Sequence, residues 1–368
     1  MNYLPCCIVG VRWIWNLDEG EYNLSMNAIL TLIAMLPFLG AILIANIAER
    51  RRDLNVLNYI SLILLCLLIF GLGALGLGVG LFFASGSAGA GAPSPVLAGM
   101  DPAAQQALAG APWVVISLIL LIMSVVAGLM MITAVRRAVA YVLPIRADSP
   151  VHMAALVLTA LTVGLNIWQS ILLTPLATAQ AATGDTAITT TYFDVLVFPL
   201  LTLTIAAVIG VGLYVRRNQD EVFERLGLRG LSFKHLLIAI ITTAILVPLG
   251  LGTEMLWQQL DPAGYKQVGD LSQALLGGFS GIAGALAIGG SAAIGEEIFF
   301  RGAYQPRFGL LLSALLFASF HVQYGLSPAT LLVFVIGLVL GILRQRTSLT
   351  VCMLVHFLYN ATLVLIGG

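Results

Sequence analysis

The sequence predicts an all-α, polytopic membrane protein, a helix bundle with about ten transmembrane helices. Three observations carry that prediction. Of 368 residues, 60% are hydrophobic and only 9% are charged, where a soluble globular chain carries roughly 25% charged residues. Apolar runs approaching the roughly 20 residues needed to span a bilayer recur along the chain. Lys and Arg then fall in alternate loops between those runs, the pattern that orients a membrane protein.

Residues 1–25, MNYLPCCIVGVRWIWNLDEGEYNLS, mix aromatics, acids and one arginine. They lack the basic start, clean apolar core and small-residue cleavage site of a signal peptide, and read as an N-terminal extension. The spans follow at 26–47, 54–84, 113–135, 150–173, 195–215, 235–253, 272–300, 308–323, 328–343 and 348–366. The second and seventh are long enough to tilt or break, and the link Gln323–Ser327 between the eighth and ninth is tight.

The cations test this count. Arg50, Arg51 and Arg52 follow span one, and Arg136, Arg137 and Arg146 follow span three. Arg216, Arg217, Arg225, Arg229 and Lys234 follow span five, Arg301 and Arg307 end or follow span seven, and Arg344 and Arg346 follow span nine. Only Arg12 and Lys266 fall on the other side. The odd-to-even connections are therefore expected to be cytoplasmic, with both termini facing away from the cytoplasm. The expected location is the cell membrane, as an integral multi-pass protein. Zero net charge gives no reason to expect a nucleic-acid partner. Cys6, Cys7, Cys66 and Cys352 show no CxxC or Cys/His spacing, and Cys66 and Cys352 read as small core residues.

Composition shifts at about residue 235. Spans one to six carry no Asp, Glu, Lys or Arg in their apolar interiors, only mild polar residues such as Asn166 and Gln169. Spans seven to ten carry Glu296, Glu297, Arg301, His321 and His356. Ionisable residues inside a membrane are costly and mark function. The organisation expected is thus an accessory transmembrane region over 26–234 and a functional transmembrane region over 235–368. His152 and His235, at span ends, read as interfacial. Gly277, Gly278, Gly281 and Gly284, like Gly337 and Gly341, read as sites of close helix approach, and Gly289 and Gly290 as a break in span seven.

The segment GGSAAIGEEIFFRG, residues 289–302, concentrates the charge. Glu297 and Arg301, four apart, share a helix face in the order favourable to an ion pair. Glu296 is rotated about 100° from Glu297, so one glutamate can be neutralised while the other faces a cavity. If spans seven and eight turn around Pro306–Gly309, Glu296 and His321 both lie about 18–20 Å from the turn. His356 lies about 15 Å from the membrane face marked by Arg346, and shares a face with Asn360. A carboxylate beside a neutral imidazole holds a water and removes its proton. An imidazole and an amide on one face can donate to an oxyanion. No cysteine belongs to the group, and neither Ser291 nor Ser319 sits in a GxSxG elbow.

Glu296-Glu297-x-x-x-Arg301, Phe317-x-x-x-His321 and His356-x-x-x-Asn360 resemble, in order and on predicted membrane helices, the three motifs of the CPBP family. These are the CAAX proteases and bacteriocin-processing enzymes, also called the Abi family. The likeness covers about 271–365. It implies an intramembrane endopeptidase of the glutamate type, acting on a membrane peptide or a lipidated protein. Glu296 and His321 would activate water, and His356 and Asn360 would form the oxyanion site. Glu297, Arg301 and Phe317 would be structural. No cofactor is favoured. A zinc-dependent version held by Glu296, His321 and His356 is the alternative, opposed by the lack of HExxH and of any short chelating pair. A proton- or ion-coupled transporter is the competing class, opposed by the lack of an inverted repeat.

Overall fold

A computed structural model describes residues 26–84, 110–183 and 196–367. The extension 1–25 and the loop residues 85–109 and 184–195 lie outside the described residues. Every regular element among the described residues is helical, as expected where backbone polar groups must be satisfied inside each segment. The first group is α1 (Met26–Arg50), α2 (Asn55–Ala84), α3 (Trp113–Met130), α4 (Thr133–Val139), α5 (Pro150–Thr183), α6 (Phe198–Val211) and α7 (Gln219–Leu226). There follow α8 (Phe233–Leu260), α9 (Pro262–Leu276), α10 (Gly281–Glu297), a π-helical segment (Ile298–Tyr304), α11 (Gln305–Ser319), α12 (Pro328–Arg346) and α13 (Leu349–Gly367).

Among the described residues, eight stretches are long and apolar enough to cross a membrane. Two places account for the difference from the ten predicted. Helix α6, at 14 residues, extends about 21 Å, short of a typical hydrocarbon core. The predicted spans seven and eight fall largely within one unbroken apolar stretch, Gly281–Ser319, through α10, the π segment and α11. The chain still turns back within it at Gly309, whose φ 82° and ψ 173° lie in a region open only to glycine, so that Ser313 and Phe317 return to Phe300 as the expected hairpin requires.

The predicted seventh span does break, but between α9 and α10, where Ser280 is extended (φ −122°, ψ 166°). Gly289 and Gly290 do not break it; they lie inside continuous α10. Gly289 instead admits Phe357 of α13, which an added Cβ would meet at 3.1 Å. Gly277 and Gly284 face their own chain, at Gln273 and Phe279, and Gly278 and Gly281 face open space. None of these four is a helix contact. Gly337 and Gly341 are, against Ala314 and Phe317 and against Leu310 and Gln305 of α11.

Helices α1, α2, α3 and α5 close on Leu62, Leu120, Val157 and Leu161. Helices α8, α12 and α13 close on Leu246, Leu340 and Val355. The π segment is held between them: Phe300 packs with Leu156, Phe308 and Phe317, and Ile298 with Val211 and Leu226. Outer faces stay apolar, with Leu64, Leu67 and Leu75 of α2 and Ile241 and Ile245 of α8 exposed, surfaces suited to lipid. His152 lies at the start of α5, packed within the protein. It is buried, its Nδ1 accepts the Arg146 N–H at 2.7 Å, and its ring edge meets Phe308. His235 is exposed and closes a capping box with Ser232 at the start of α8.

Candidate active site

Glu296 and Glu297 are the last two residues of α10, and the π segment begins immediately after them. A π turn inserts one residue into the helical ladder and re-aims the side chains that follow, a distortion common at functional sites. Here the Gln305 N–H reaches back five residues to the Phe300 carbonyl. That carbonyl also accepts the Ser313 hydroxyl at 3.0 Å. Helix α12 secures the other side. Gln305 Nε2 donates to the Gly341 carbonyl at 2.8 Å, and Arg344 Nε donates to the Arg301 carbonyl at 3.3 Å.

Glu297 and Arg301 are fully buried. Arg301 Nη1 donates to Glu297 Oε1 at 2.9 Å, and the guanidinium lies 4.0 Å from the centroid of the Phe317 ring, a cation–π arrangement. The same Oε1 accepts His356 Nδ1–H at 2.9 Å. A carboxylate paired with arginine has no proton to give, so the hydrogen of that bond sits on His356 Nδ1. The other ring nitrogen, Nε2, then faces Glu296, whose Oε2 is 3.9 Å away. That separation is too long for a direct hydrogen bond. Glu296 Oε2 is buried and has no hydrogen-bond partner among the described residues, although the Glu296 side chain as a whole keeps 20% exposure.

His321 follows α11. Its Nδ1 lies 3.1 Å from the Phe317 carbonyl, an acceptor that places the proton on Nδ1 and leaves the Nε2 lone pair free. The ring stacks on Tyr324. The Phe317 ring also meets His321 and His356 edge-on, with centroids 4.9 and 5.9 Å apart. One aromatic ring thus touches three of the polar groups. Asn360 lies one turn beyond His356 on α13, half-buried and without a side-chain hydrogen bond among the described residues. The structure therefore joins Glu297, Arg301, Phe317 and His356 directly, sets Glu296 opposite His356, and links His321 through Phe317. It makes no bond between Asn360 and the rest. Among the described residues no three His, Cys, Asp or Glu side chains converge as a metal-binding set.

Sequence reasoning missed two supports. Helix α6, of the predicted accessory region, packs against α10: Ser291 Oγ donates to the Leu196 carbonyl at 2.7 Å, and a Cβ on Gly295 would meet Leu200 Cα at 2.9 Å. Asn166 of α5 donates to Ser319 Oγ at 3.2 Å, and lines a small cavity, about 40 Å³, beside His321. A polar amide within an apolar span was the available signal.

Residues 278–362 match one family model, Rce1-like, described as type II CAAX prenyl endopeptidase Rce1-like. No curated protein and no solved structure matches the chain. The matched stretch encloses all three motifs and every polar group of this site, so it is the C-terminal region of the chain that is similar to the CAAX protease (CPBP) family.

Proposed function

We propose that the chain is a CAAX-type intramembrane endopeptidase that hydrolyses a peptide bond of a membrane-associated or lipidated substrate with an activated water. One observation carries the reading. Of two adjacent glutamates, Glu297 holds Arg301 and His356 on its Oε1 and leaves only Oε2 unpartnered, while Glu296 makes no side-chain hydrogen bond among the described residues and its buried Oε2 opposes His356.

In this reading Glu296 takes a proton from water as its oxygen bonds to the scissile carbonyl carbon. His321 orients that water through its free Nε2. The negative charge moves to the carbonyl oxygen, and the Asn360 amide donates to it. His356 has committed its Nδ1 hydrogen to Glu297, so it donates from Nε2 only when the ring carries a second proton. Collapse breaks the C–N bond, and Glu296 returns its proton to the leaving amine. Phe317, Glu297 and Arg301 hold the imidazoles in place. The arginine-rich loops would face the cytoplasm, and both termini the opposite side.

The test is cleavage of a farnesylated peptide ending in a CAAX sequence by purified protein in lipid nanodiscs. Glu296→Gln is expected to lower kcat/KM by about 10²–10⁴-fold, the usual share of general acid–base catalysis, with Tm unchanged. Full activity in Glu296→Gln removes the glutamate mechanism. Activity lost to a chelator and restored by zinc replaces it with the metal version.

A further inference from the structure

A second cavity, about 560 Å³, lies between α1, α5, α6 and residues 299–322. Its volume falls in the range of small-molecule sites. Its body is apolar, walled by Phe38, Leu158, Trp168, Leu203, Phe299 and Phe320 among others. Arg216, Arg217, Arg225 and Arg307 line it together, all four half-buried. None has a carboxylate partner among the described residues. Arg216 donates to Asn46 Oδ1 at 2.7 Å, Arg217 to the Val211 carbonyl, and Arg225 to the Gly302 and Ala303 carbonyls at 3.2 and 3.5 Å. Arg307 makes no hydrogen bond or ion pair of its own among the described residues.

The acid whose field reaches Arg216 and Arg307, Glu49, is already engaged by Arg146, by Ser149 Oγ at 2.7 Å and by Arg52 at 3.5 Å. Burial, followed by like-charged neighbours, pulls Arg216 and Arg225 each down to about 10. Four clustered cations without a counter-ion, above an apolar chamber, are complementary to one kind of molecule. It has an anionic head and a long hydrocarbon chain. Guanidinium forks approaching from several elements suit the oxygens of a phosphate, which each can grip bidentately.

We propose that this cavity binds a phosphate-headed membrane lipid, with the headgroup at Arg216, Arg217, Arg225 and Arg307 and a chain along Trp168. The site is separate from Glu296, although its walls Asn166 and Val322 are shared with the small cavity beside His321. Binding does not depend on hydrolysis, so the two readings fail independently.

The experiment is tryptophan quenching of the purified full-length protein in detergent. The probes are phosphatidic acid and phosphatidylcholine bearing the same brominated acyl chains, with Trp168→Phe isolating the Trp168 signal. The expected result is saturable quenching of Trp168 at lower concentration with phosphatidic acid. Arg307→Gln should raise the half-saturation concentration about fivefold, and Arg307→Lys should recover part of that loss. Ala206→Phe, which fills the chamber and leaves the arginines, should abolish the saturable component. The proposal is overturned by equal half-saturation with the two lipids, or by an unchanged value in Arg307→Gln. Equal displacement by soluble glycerol phosphate would reduce it to an anion site. Displacement by a farnesylated peptide at matched concentration, with the same arginine dependence, would assign the cavity to a protein substrate instead.

Discussion

Glu297 holds two cationic or protonated partners on one oxygen, and that sharing sets the energetics of the centre. Breaking a buried pair strands a charge and costs about 3–5 kcal/mol. Glu297→Gln and Arg301→Met should each lower Tm markedly, as followed by thermal unfolding of the purified protein. Combining them removes both charges, so the double variant should recover most of the lost Tm. Hydrolysis should not return with it, because His356 then lacks the carboxylate that fixes its Nδ1 hydrogen. A purely structural ion pair would give back both. The residue types at this centre were legible because ionisable groups inside a membrane segment are too costly to be idle. The His356–Glu297 bond was not. Which of two adjacent carboxylates meets a side chain 59 residues later depends on helix rotation, and the sequence does not encode that locally.

The rotation is set at the scale of elements. IFFRGAY, with its single Arg301, reads as ordinary helix on paper, and nothing in its composition distinguishes a π turn from an α turn. The distinction comes from the bonds supplied by Ser313, Gln305 and Arg344 on neighbouring helices. The membrane helices themselves were readable from hydropathy, down to the turn around Pro306–Gly309. The break in the seventh span was misplaced because glycine is tolerated both as a hinge and as a packing gap. Gly289 proved to be the second kind. Gly295 is another. Its neighbour is Leu200 backbone, which cannot rotate away, so Gly295→Ala is expected to cost about 1–3 kcal/mol as overpacking. It should also reduce cleavage by shifting the adjacent Glu296. Tm and kcat measured together check this, and a variant with native values for both would show that α6 yields freely.

Across the whole molecule, the N-terminal helices are joined to the motif-bearing ones by α6 against α10 and by α5 against the π segment and α11. The sequence showed the spans of this region only as apolar, with no charge in their interiors, since helix–helix contacts in lipid rest on shape and not on residue class. The two polar centres of the molecule differ in one further respect. Arg301 and Glu297, at 1% and 0% side-chain exposure, sit under Phe317 where dissolved ions cannot approach. The four arginines of the second cavity keep contact with the aqueous edge. Mobile ions screen charges that water can reach, over about 8 Å at physiological strength, and screen buried pairs much less. Raising potassium chloride from low to molar concentration should therefore leave the cleavage rate of a neutral peptide nearly flat. Phosphatidic acid binding should weaken steadily over the same range. A single salt titration thus separates the sealed centre from the open one.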